Sequence, residues 1–489
     1  MASALPMKDI LSCPSHILPD ITQTPIDPER KPFAPPSTIL IIGSGVFGLS
    51  TAFALTKRPE FAGTRITIVD RSPDPGVFPS RDASSIDSSR IIRPDYADPS
   101  YAKLASQAQA QWRETELGRD GRYTESGFIL AADDGPLVRE DGSPTGIAYA
   151  KKSWVNALAL AQAEGRPLDT VRLMARPSSL ARVSGVGEFA DWGYINAASG
   201  WADAEASMEW FYKRVVETGR ITFVNGTVER LETNEEEKRV TGARLKDGTT
   251  ISADLVIAAA GAWTPTLIDL SSQAVATGQV LGYVDLTEEE QKKLENIPVI
   301  LNLTTGIFVI PPRNRVLKVA RHAFGYLNPK TPSIPPLGIP GSDKSPLKPI
   351  SQPFTHLDDT SLSIPEEGEK SLREGLRRII PWPELRDRPF SRTRLCWYTD
   401  TASGDWIIDY HPYWQGLFVA TGGSGHAFKF LPIIGDRVVD CIMGNCPVEF
   451  REKWKFKVAD VVATSIVTQD GSRGGEPGFI LAEEFNKNR

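Results

Sequence analysis

The hydrophobic pattern becomes regular at Ser37. Ser37–Ile42 is a short apolar, β-branched run that breaks at Gly43-Ser44-Gly45-Val46-Phe47-Gly48, after which Val46, Leu49 and Phe53 recur at helical spacing. A second apolar run, Arg65–Val69, ends on Asp70. The pattern predicts strand, glycine turn, helix, strand. Further on it predicts a helix over Tyr101–Glu116, a strand at Gly127–Ala132, and a connecting loop over residues 133–152 with a turn at Asp141-Gly142. The stretch Gly193–Trp201 leads into a helix ending near Thr218, followed by strands at Ile221–Val224 and Thr241–Leu245 with an exposed hairpin turn at Glu235–Lys238. Leu255–Ala260 is wholly apolar, as a buried parallel strand would be, and runs into Gly261. Strands at Val299–Leu303, Gly306–Ile310 and Val316–Ala320 read as an antiparallel meander, and a Pro-rich loop runs from Pro329 to about Pro353. Two last strands, Trp406–Asp409 and Leu417–Ala420, precede a second glycine-rich turn, Gly422-Gly423-Ser424-Gly425, and a helix expected to start near Ala427.

The first turn has the G-x-G-x-x-G spacing of a dinucleotide fold. Gly43 permits the tight turn, Gly45 lets a pyrophosphate approach the backbone, and Gly48 lets the helix lie close to the strand. The free N–H groups of the first helical turn would face the phosphates. Asp70, 22 residues past Gly48, is placed to accept from a ribose hydroxyl, which favours FAD or NAD over NADP. Three glycines alone would be weak; the flanking strand, helix and acid give them meaning.

Composition narrows the picture. A chain of 489 residues exceeds one core, so two or three lobes are expected. A net charge of −6 with no long basic run argues against nucleic acid or anionic membrane as the main partner and points to a small molecule. Cys13, Cys396, Cys441 and Cys446 are irregularly spaced in a long chain, which suggests a reducing compartment and no disulfide framework. Residues 1–36 lack an apolar secretory core and an Arg-rich transit pattern and read as an extended arm; the final residues are not a peroxisomal tripeptide. The expected location is cytoplasmic.

Three stretches carry candidate chemistry. From Asp82 to Arg93 small hydroxyl residues give way to two arginines, either an ordinary solvated loop or a segment that returns to the cofactor. Lys318 sits inside the apolar strand Leu317-Lys318-Val319 with His322 just beyond, either a snorkelling edge residue or a buried functional cation. The second glycine turn can aim a helix N-terminus at a flavin ring, and Lys429 lies in its expected first turn, where the dipole disfavours a cation.

Together, S-R-I-I-R (89–93), L-K-V-A-R-H (317–322), R-L-C-W-Y-T-D-T (394–401) and G-G-S-G-H-A-F-K (422–429) make the chain resemble the FAD-dependent amine oxidases of the monomeric sarcosine oxidase type, and within them the fungal fructosyl amino acid oxidases (amadoriases) and saccharopine or pipecolate oxidases. The resemblance covers roughly residues 37–445. It implies that Cys396 bonds covalently to the flavin 8α carbon and that Lys318, with His322 close by, promotes reaction with O2. It further implies that Arg93 and Lys429 clamp the substrate carboxylate, that Tyr398 is an active-site tyrosine, that Ser89 and Arg90 contact the flavin, and that Val228 brackets the adenine. The catalytic set so expected is Lys318, His322, Tyr398, Arg93 and Lys429. The cofactor-facing set is Gly43, Gly45, Val46, Phe47, Gly48, Asp70, Arg71, Ser84, Ser89, Arg90, Ile91, Val228, Gly261, Cys396, Gly423, Gly425 and Lys429, with no metal. A thiolate at Cys396 could draw on a neighbouring charge such as Arg394. Ile86 stands where the compact bacterial enzymes carry a histidine.

The expected fold is α/β, or α+β overall. A Rossmann-type FAD-binding domain of the glutathione-reductase and D-amino-acid-oxidase kind would take residues 37–95, 190–268 and 386–450, and a second domain, an antiparallel sheet plus helices, residues 96–189 and 269–385. Residues 451–489 form a C-terminal extension. The expected function is oxidation of the C–N bond of an N-substituted amino acid, giving an imine and H2O2, by a monomer needing no nucleic acid or membrane. Two alternatives stand beside it: a secondary-metabolite tailoring oxidase whose imine is captured in ring closure, and a non-catalytic flavin-binding sensor.

Overall fold

The structure, a computed structural model, describes residues 33–74, 76–270, 273–339, 348–457 and 467–487. The expected arm up to residue 32, with Cys13, and residues 340–347 of the Pro-rich loop lie outside the described residues.

Two sheets organise the rest. The first has six strands in the order Ile407–Tyr410, Leu417–Thr421, Leu255–Ala258, Thr38–Ile42, Arg65–Asp70, Ile221–Asn225, all parallel except the Ile407–Tyr410 edge. Its central strands are apolar on both faces because both are covered, one by the helix Val46–Lys57 and the other by a three-stranded antiparallel sheet, Val228–Asn234, Arg239–Leu245 and Thr250–Ser252: Leu40 and Ile41 are fully buried, as are Val256 and Ile257. The helix Val46–Lys57 follows the first strand at once, and the later helix Ile434–Ile442 packs along it where Gly435 meets the backbone of Ser50.

The second sheet has eight strands in the order Arg392–Thr401, Ala274–Asp285, Val316–Arg321, Ile307–Arg313, Val299–Asn302, Phe128–Ala132, Trp192–Asn196, Val171–Met174. The expected meander is present at its centre, but the sheet is mixed, since Val299–Asn302 pairs parallel with Phe128–Ala132. Trp192–Asn196 and Arg392–Thr401, from stretches assigned above to FAD binding, hydrogen-bond into this second sheet. Two elements absent from the expectations are its longest strand, Ala274–Asp285, and the helix Glu366–Ile379 that covers it, whose Leu372, Leu376 and Ile379 recur at helical spacing.

Two expected elements are corrected. The loop over 133–152 ends at Thr145, where the helix Gly146–Ala163 begins; its small apolar face, Ala150, Ala157 and Ala161, gave too weak a hydrophobic period. No helix starts at Ala427: Phe428–Phe430 is a single 3₁₀ turn, and the helix begins at Ile434 after Pro432 interrupts the run. Lys429 therefore does not sit at a helix N-terminus.

The turn after the first strand is tightly built. Gly43 has φ +103°, and a Cβ on Gly48 would lie 1.9 Å from the Gly43 carbonyl oxygen. Replacing Gly48 by Ala should cost about 1–3 kcal/mol by pushing the helix off the strand. Urea unfolding of the holoenzyme checks this; an unchanged midpoint would mean that the close approach is dispensable.

Candidate functional site

A long cleft opens at the carboxyl ends of the first sheet's strands, with a volume of about 420 Å³. The Gly43 N–H donates to Val69 O at 2.8 Å, fixing the turn, and the N–H and hydroxyl of Ser44 both donate to one oxygen of Asp70, at 2.8 and 2.5 Å. The helix starting at Val46 has no side-chain cap and no acid in its first turn, so its opening N–H groups and dipole are left to whatever the cleft holds. A Cβ on Gly45 would meet nothing nearer than Ser85 Oγ at 3.9 Å, and that buried hydroxyl has no hydrogen-bond partner among the described residues. This donor-rich cradle, with an acid at the end of the next strand, fits a dinucleotide pyrophosphate and ribose. Val46, Phe47, Arg71, Ser84, Val228, Gly261 and Gly423 also line the cleft, whereas Gly48 lies beneath it against the strand. Arg71 is tied to Asp82 and lies over the Trp263 ring.

Arg90, Tyr398, Gly425 and Phe428 border both this cleft and a second, smaller chamber. Ser89, Ile91, Arg93, Lys318, His322, Cys396 and Lys429 line that chamber. All the expected catalytic residues therefore meet, although they come from four separate stretches.

Strand geometry explains the meeting. Side chains two apart on a strand share a face, so Cys396 and Tyr398 point the same way. Cys396 lies opposite Gln279 and Tyr398 opposite Thr277, while Lys318 lies opposite Tyr283 on the same long strand. Lys318, 2% exposed, donates from Nζ to Asp87 Oδ2 and to the Ser89 carbonyl, both at 2.7 Å. Arg90 also pairs with Asp87, and the Tyr283 hydroxyl donates to the other Asp87 oxygen at 2.6 Å. Burial alone would raise the Asp87 carboxyl, but Lys318 and Arg90 outweigh it and hold it well below the usual range. Burial brings Lys318 down to about 8 despite Asp87. Among the expectations, the charge beside Cys396 is corrected: Arg90 Nη2 reaches Cys396 Sγ at 3.6 Å, whereas Arg394 is spent on carbonyls of the 81–86 loop.

On the chamber's other side, Arg93 and Lys429 are both buried. Arg93 lies over the rings of Phe128 and Tyr96, and its Nη1 has no hydrogen-bond partner among the described residues. Lys429 Nζ donates to the Tyr96 hydroxyl and to the His426 carbonyl, both at 2.8 Å. His426 Nε2 is 2.8 Å from the Gly404 carbonyl, which can only accept; Nδ1 is therefore the acceptor, and it receives the Tyr96 hydroxyl at 2.9 Å. The chain Lys429, Tyr96, His426, Gly404 thus runs in one direction and holds the ammonium without a negative charge. Burial, then Arg93, holds Lys429 well below the ordinary lysine range. Burial likewise keeps His322 and His426 well below the ordinary histidine range, so both are neutral at pH 7.

With the geometry in place, comparison with known proteins decides the family. The profile described as FAD dependent oxidoreductase matches residues 38–441. The chain belongs to the FAD-dependent oxidoreductases. Among relatives of this oxidoreductase, the amino acid oxidase imqH of Aspergillus flavus is 34% identical, covering 87% of this chain and 98% of that protein. The L-saccharopine oxidase of Schizosaccharomyces pombe is 28% identical over 86% of this chain and 94% of its own. The crystal structure of fructosamine oxidase (Amadoriase II) from Aspergillus fumigatus superposes with a TM-score of 0.71 at 27% identity, covering 91% of this chain and 94% of that one. No helix among the described residues is long and apolar enough to cross a membrane.

Sequence reasoning missed several residues of the oxidoreductase's site. Asp87 stood within the 82–93 stretch, which had been read for its hydroxyls and arginines. Tyr96 follows it by a few residues, and His426 lies inside a quoted motif without a role. Arg473, in the C-terminal extension, gave no signal at all. It is fully buried, donates to Asp400 Oδ1 at 2.6 Å and to Ser424 O at 2.9 Å, and lies against His322 and the Tyr398 ring.

Asp87 neutralises part of two buried cations, so Asp87→Asn should cost about 3–5 kcal/mol of stability. Urea unfolding at pH 7 would register it. A loss below about 1 kcal/mol would show that solvent reaches the cluster.

Proposed function

We propose that this oxidoreductase oxidises the C–N bond of an N-substituted amino acid, a secondary amine, to the imine, with O2 as acceptor and H2O2 as product. The amine loses one hydride equivalent and its N–H proton, and O2 gains the two electrons and two protons. The observation that carries this reading is the Arg93 and Lys429 pair. Both cations are buried on one chamber, neither has a carboxylate within 4.0 Å among the described residues, and one guanidinium nitrogen is unpartnered. Such a pair calls for an anion from outside, and a carboxylate held at both points is oriented as well as bound.

When bound, FAD would supply the two-electron oxidant. The glycine turn would hold its pyrophosphate, Asp70 the ribose, Val228 the adenine side, and Cys396 a covalent bond through Sγ to the 8α carbon, with Arg90 favouring the thiolate. The first sheet thus serves the nucleotide and the second the substrate. Lys318, fixed by Asp87 and the Ser89 carbonyl, would place a positive charge where O2 is reduced. Neutral His322 cannot repel that charge. A cytoplasmic location fits the free thiols of Cys441 and Cys446.

Two experiments test the assignment. Acid precipitation of the yellow Cys396→Ala protein should release its FAD to the supernatant, whereas wild type keeps it in the pellet; colour retained in the variant's pellet would sink the covalent link. Lys318 is charged below its pKa of about 8, so kcat/KM for O2 should be full near pH 6.5 and fall as pH rises through 8. In Lys318→Met that parameter should be low, by about 100-fold or more, and flat with pH. Equal loss in anaerobic flavin reduction would remove Lys318 from the oxygen step.

A further inference from the structure

We infer that Lys429 does more than clamp the carboxylate: it takes the proton from the substrate's ammonium as the substrate binds, so that the nitrogen reaches the oxidation step as a neutral amine. The inference rests on the amine-oxidase reading above and adds a step to it.

The reaction requires such a step. A secondary amino acid is a zwitterion in water, its nitrogen protonated up to about pH 10 as alkyl ammoniums are. A protonated nitrogen has no lone pair to assist loss of a hydride from the neighbouring carbon, so one N–H bond must break first. That bond breaks, an N–H bond forms at Lys429 Nζ, and one ammonium replaces another with no change in net charge.

Hydrogen-bond counting singles out Lys429. Its Nζ has two acceptors among the described residues, the Tyr96 hydroxyl and the His426 carbonyl, each at 2.8 Å. A neutral amine has two N–H groups and a lone pair, whereas an ammonium has three N–H groups. The surroundings therefore satisfy the amine and leave the ammonium one acceptor short, at a position only 5% exposed. The substrate brings both missing parts, the proton and a carboxylate to accept from it. Its nitrogen and carboxylate share one carbon, so a group touching the second is in reach of the first. The charged or titratable groups that face Nζ are Arg93, Asp95 and Tyr96 from one segment, His426 from its own turn, and His322 after the strand Val316–Arg321. The helix Pro99–Glu114 presents the uncharged Trp112 indole to the Lys429 carbonyl. Burial and Arg93 favour the amine; Asp95 opposes them, but it is held by Tyr194, Asn196 and Ser199 and forms no ion pair with Lys429.

The other titratable groups of the lining are unsuited to the task. Arg90, Arg93 and Arg321 are guanidiniums and keep their protons. Lys318 is held charged by Asp87 at 2.7 Å. His322 has Arg473 2.8 Å from Nδ1, so an imidazolium there would meet a guanidinium. His426 has no free nitrogen, since Nδ1 accepts from Tyr96 and Nε2 donates to the Gly404 carbonyl. Burial raises the Tyr398 phenol, which is then no base, and Cys396 is assigned above to the cofactor. Nor does the Tyr96–His426 chain drain the proton, because it ends on a carbonyl that passes none on. The proton stays at Nζ while the carboxylate is there.

The test uses the holoenzyme. 2-Aminoisobutyrate has an ammonium but no hydrogen on the carbon that bears it, so it binds without being oxidised. Its nitrogen-15 resonance, bound at pH 7, should be that of a neutral amine in wild type and of an ammonium in Lys429→Met. Pivalate, in which a methyl replaces the ammonium, has no proton to give. Its binding at pH 8 should draw about one proton per site from the buffer, read by calorimetry in buffers of different ionisation heat, and Lys429→Met should draw none. Anaerobic flavin bleaching by the fastest of sarcosine, N-methyl-L-phenylalanine and L-pipecolate gives a third reading. The loss of second-order efficiency in Lys429→Met should be about 100-fold greater at pH 7 than at about pH 10, where the substrate arrives as the amine. A bound ammonium in wild type, no proton drawn by pivalate, or a loss independent of pH overturns the proton role and leaves the oxidase reading standing. The same changes in Lys318→Met but not in Lys429→Met overturn it in favour of Lys318, and failure of both ligands to bind overturns the carboxylate site the step depends on. Bleaching by dithionite but by none of the three amines overturns both readings together.

Discussion

One buried carboxylate holds the reactive half of this molecule together. Asp87 receives Lys318 from the second sheet, Arg90 from the strand that follows its own loop, and Tyr283 from the long neighbouring strand. Two cations taken out of water cost several kcal/mol each unless an anion goes with them. Asp87 therefore does more than join a loop to a sheet. It makes it possible for Arg90 to lie beside Cys396 and for Lys318 to stand in the chamber wall. One carboxylate against two cations also leaves the cluster with positive charge to spare, which favours an electron-rich partner across the chamber.

Around that anchor the side chains fall into place by strand arithmetic. On Arg392–Thr401 the alternation puts Cys396, Tyr398 and Asp400 on one face; on Val316–Arg321 it places Lys318 among them, and His322 follows. Gly425 completes the fit, because a Cβ there would come within 2.4 Å of the Tyr398 ring. A slip of one residue in the pairing of Ala274–Asp285 with either neighbour would turn these groups away from one another. The core on the sheet's other face, where Val280, Val284, Leu317, Val319, Leu395 and Trp397 are buried, forbids that slip.

What could be read beforehand follows from this. The nucleotide cradle was legible because its parts are local: turn, helix and acid lie within one stretch, and each glycine has its own steric reason. Lys318 was legible as an exception, a cation inside an apolar run, whereas Cys396 and Lys429 took their roles from motifs shared with the family the chain resembles. Asp87, Tyr96 and His426 were not, because an acid or a tyrosine in a polar loop is unremarkable until the fold shows what it touches. Arg473 is the extreme case: it lies far along the chain from Asp400, and nothing near it in sequence marks it as buried. The Gly146–Ala163 helix was hidden for a different reason. Its buried face mixes Ala150, Ala157 and Ala161 with Gly146 and Ser153, and only Ile147 and Tyr149 are large, which leaves little period.

The two ends of the chamber solve opposite problems. At Asp87 the protein supplies the counter-charge itself and the cations are permanently held. At Lys429 the hydrogen-bond partners are dipoles, the Tyr96 hydroxyl and the His426 carbonyl, and the one opposing charge, Asp95, acts through space without an ion pair. The sign of the consequence is fixed. A lysine whose folded pKa lies below its unfolded value penalises the fold at neutral pH, and the penalty vanishes only above the ordinary lysine range. A carboxylate arriving between Arg93 and Lys429 raises that pKa again, so anion binding and protonation of Lys429 reinforce each other. The Tyr96–His426 chain, fully oriented and neutral, fixes the ammonium in place without neutralising it, which leaves its charge for the ligand.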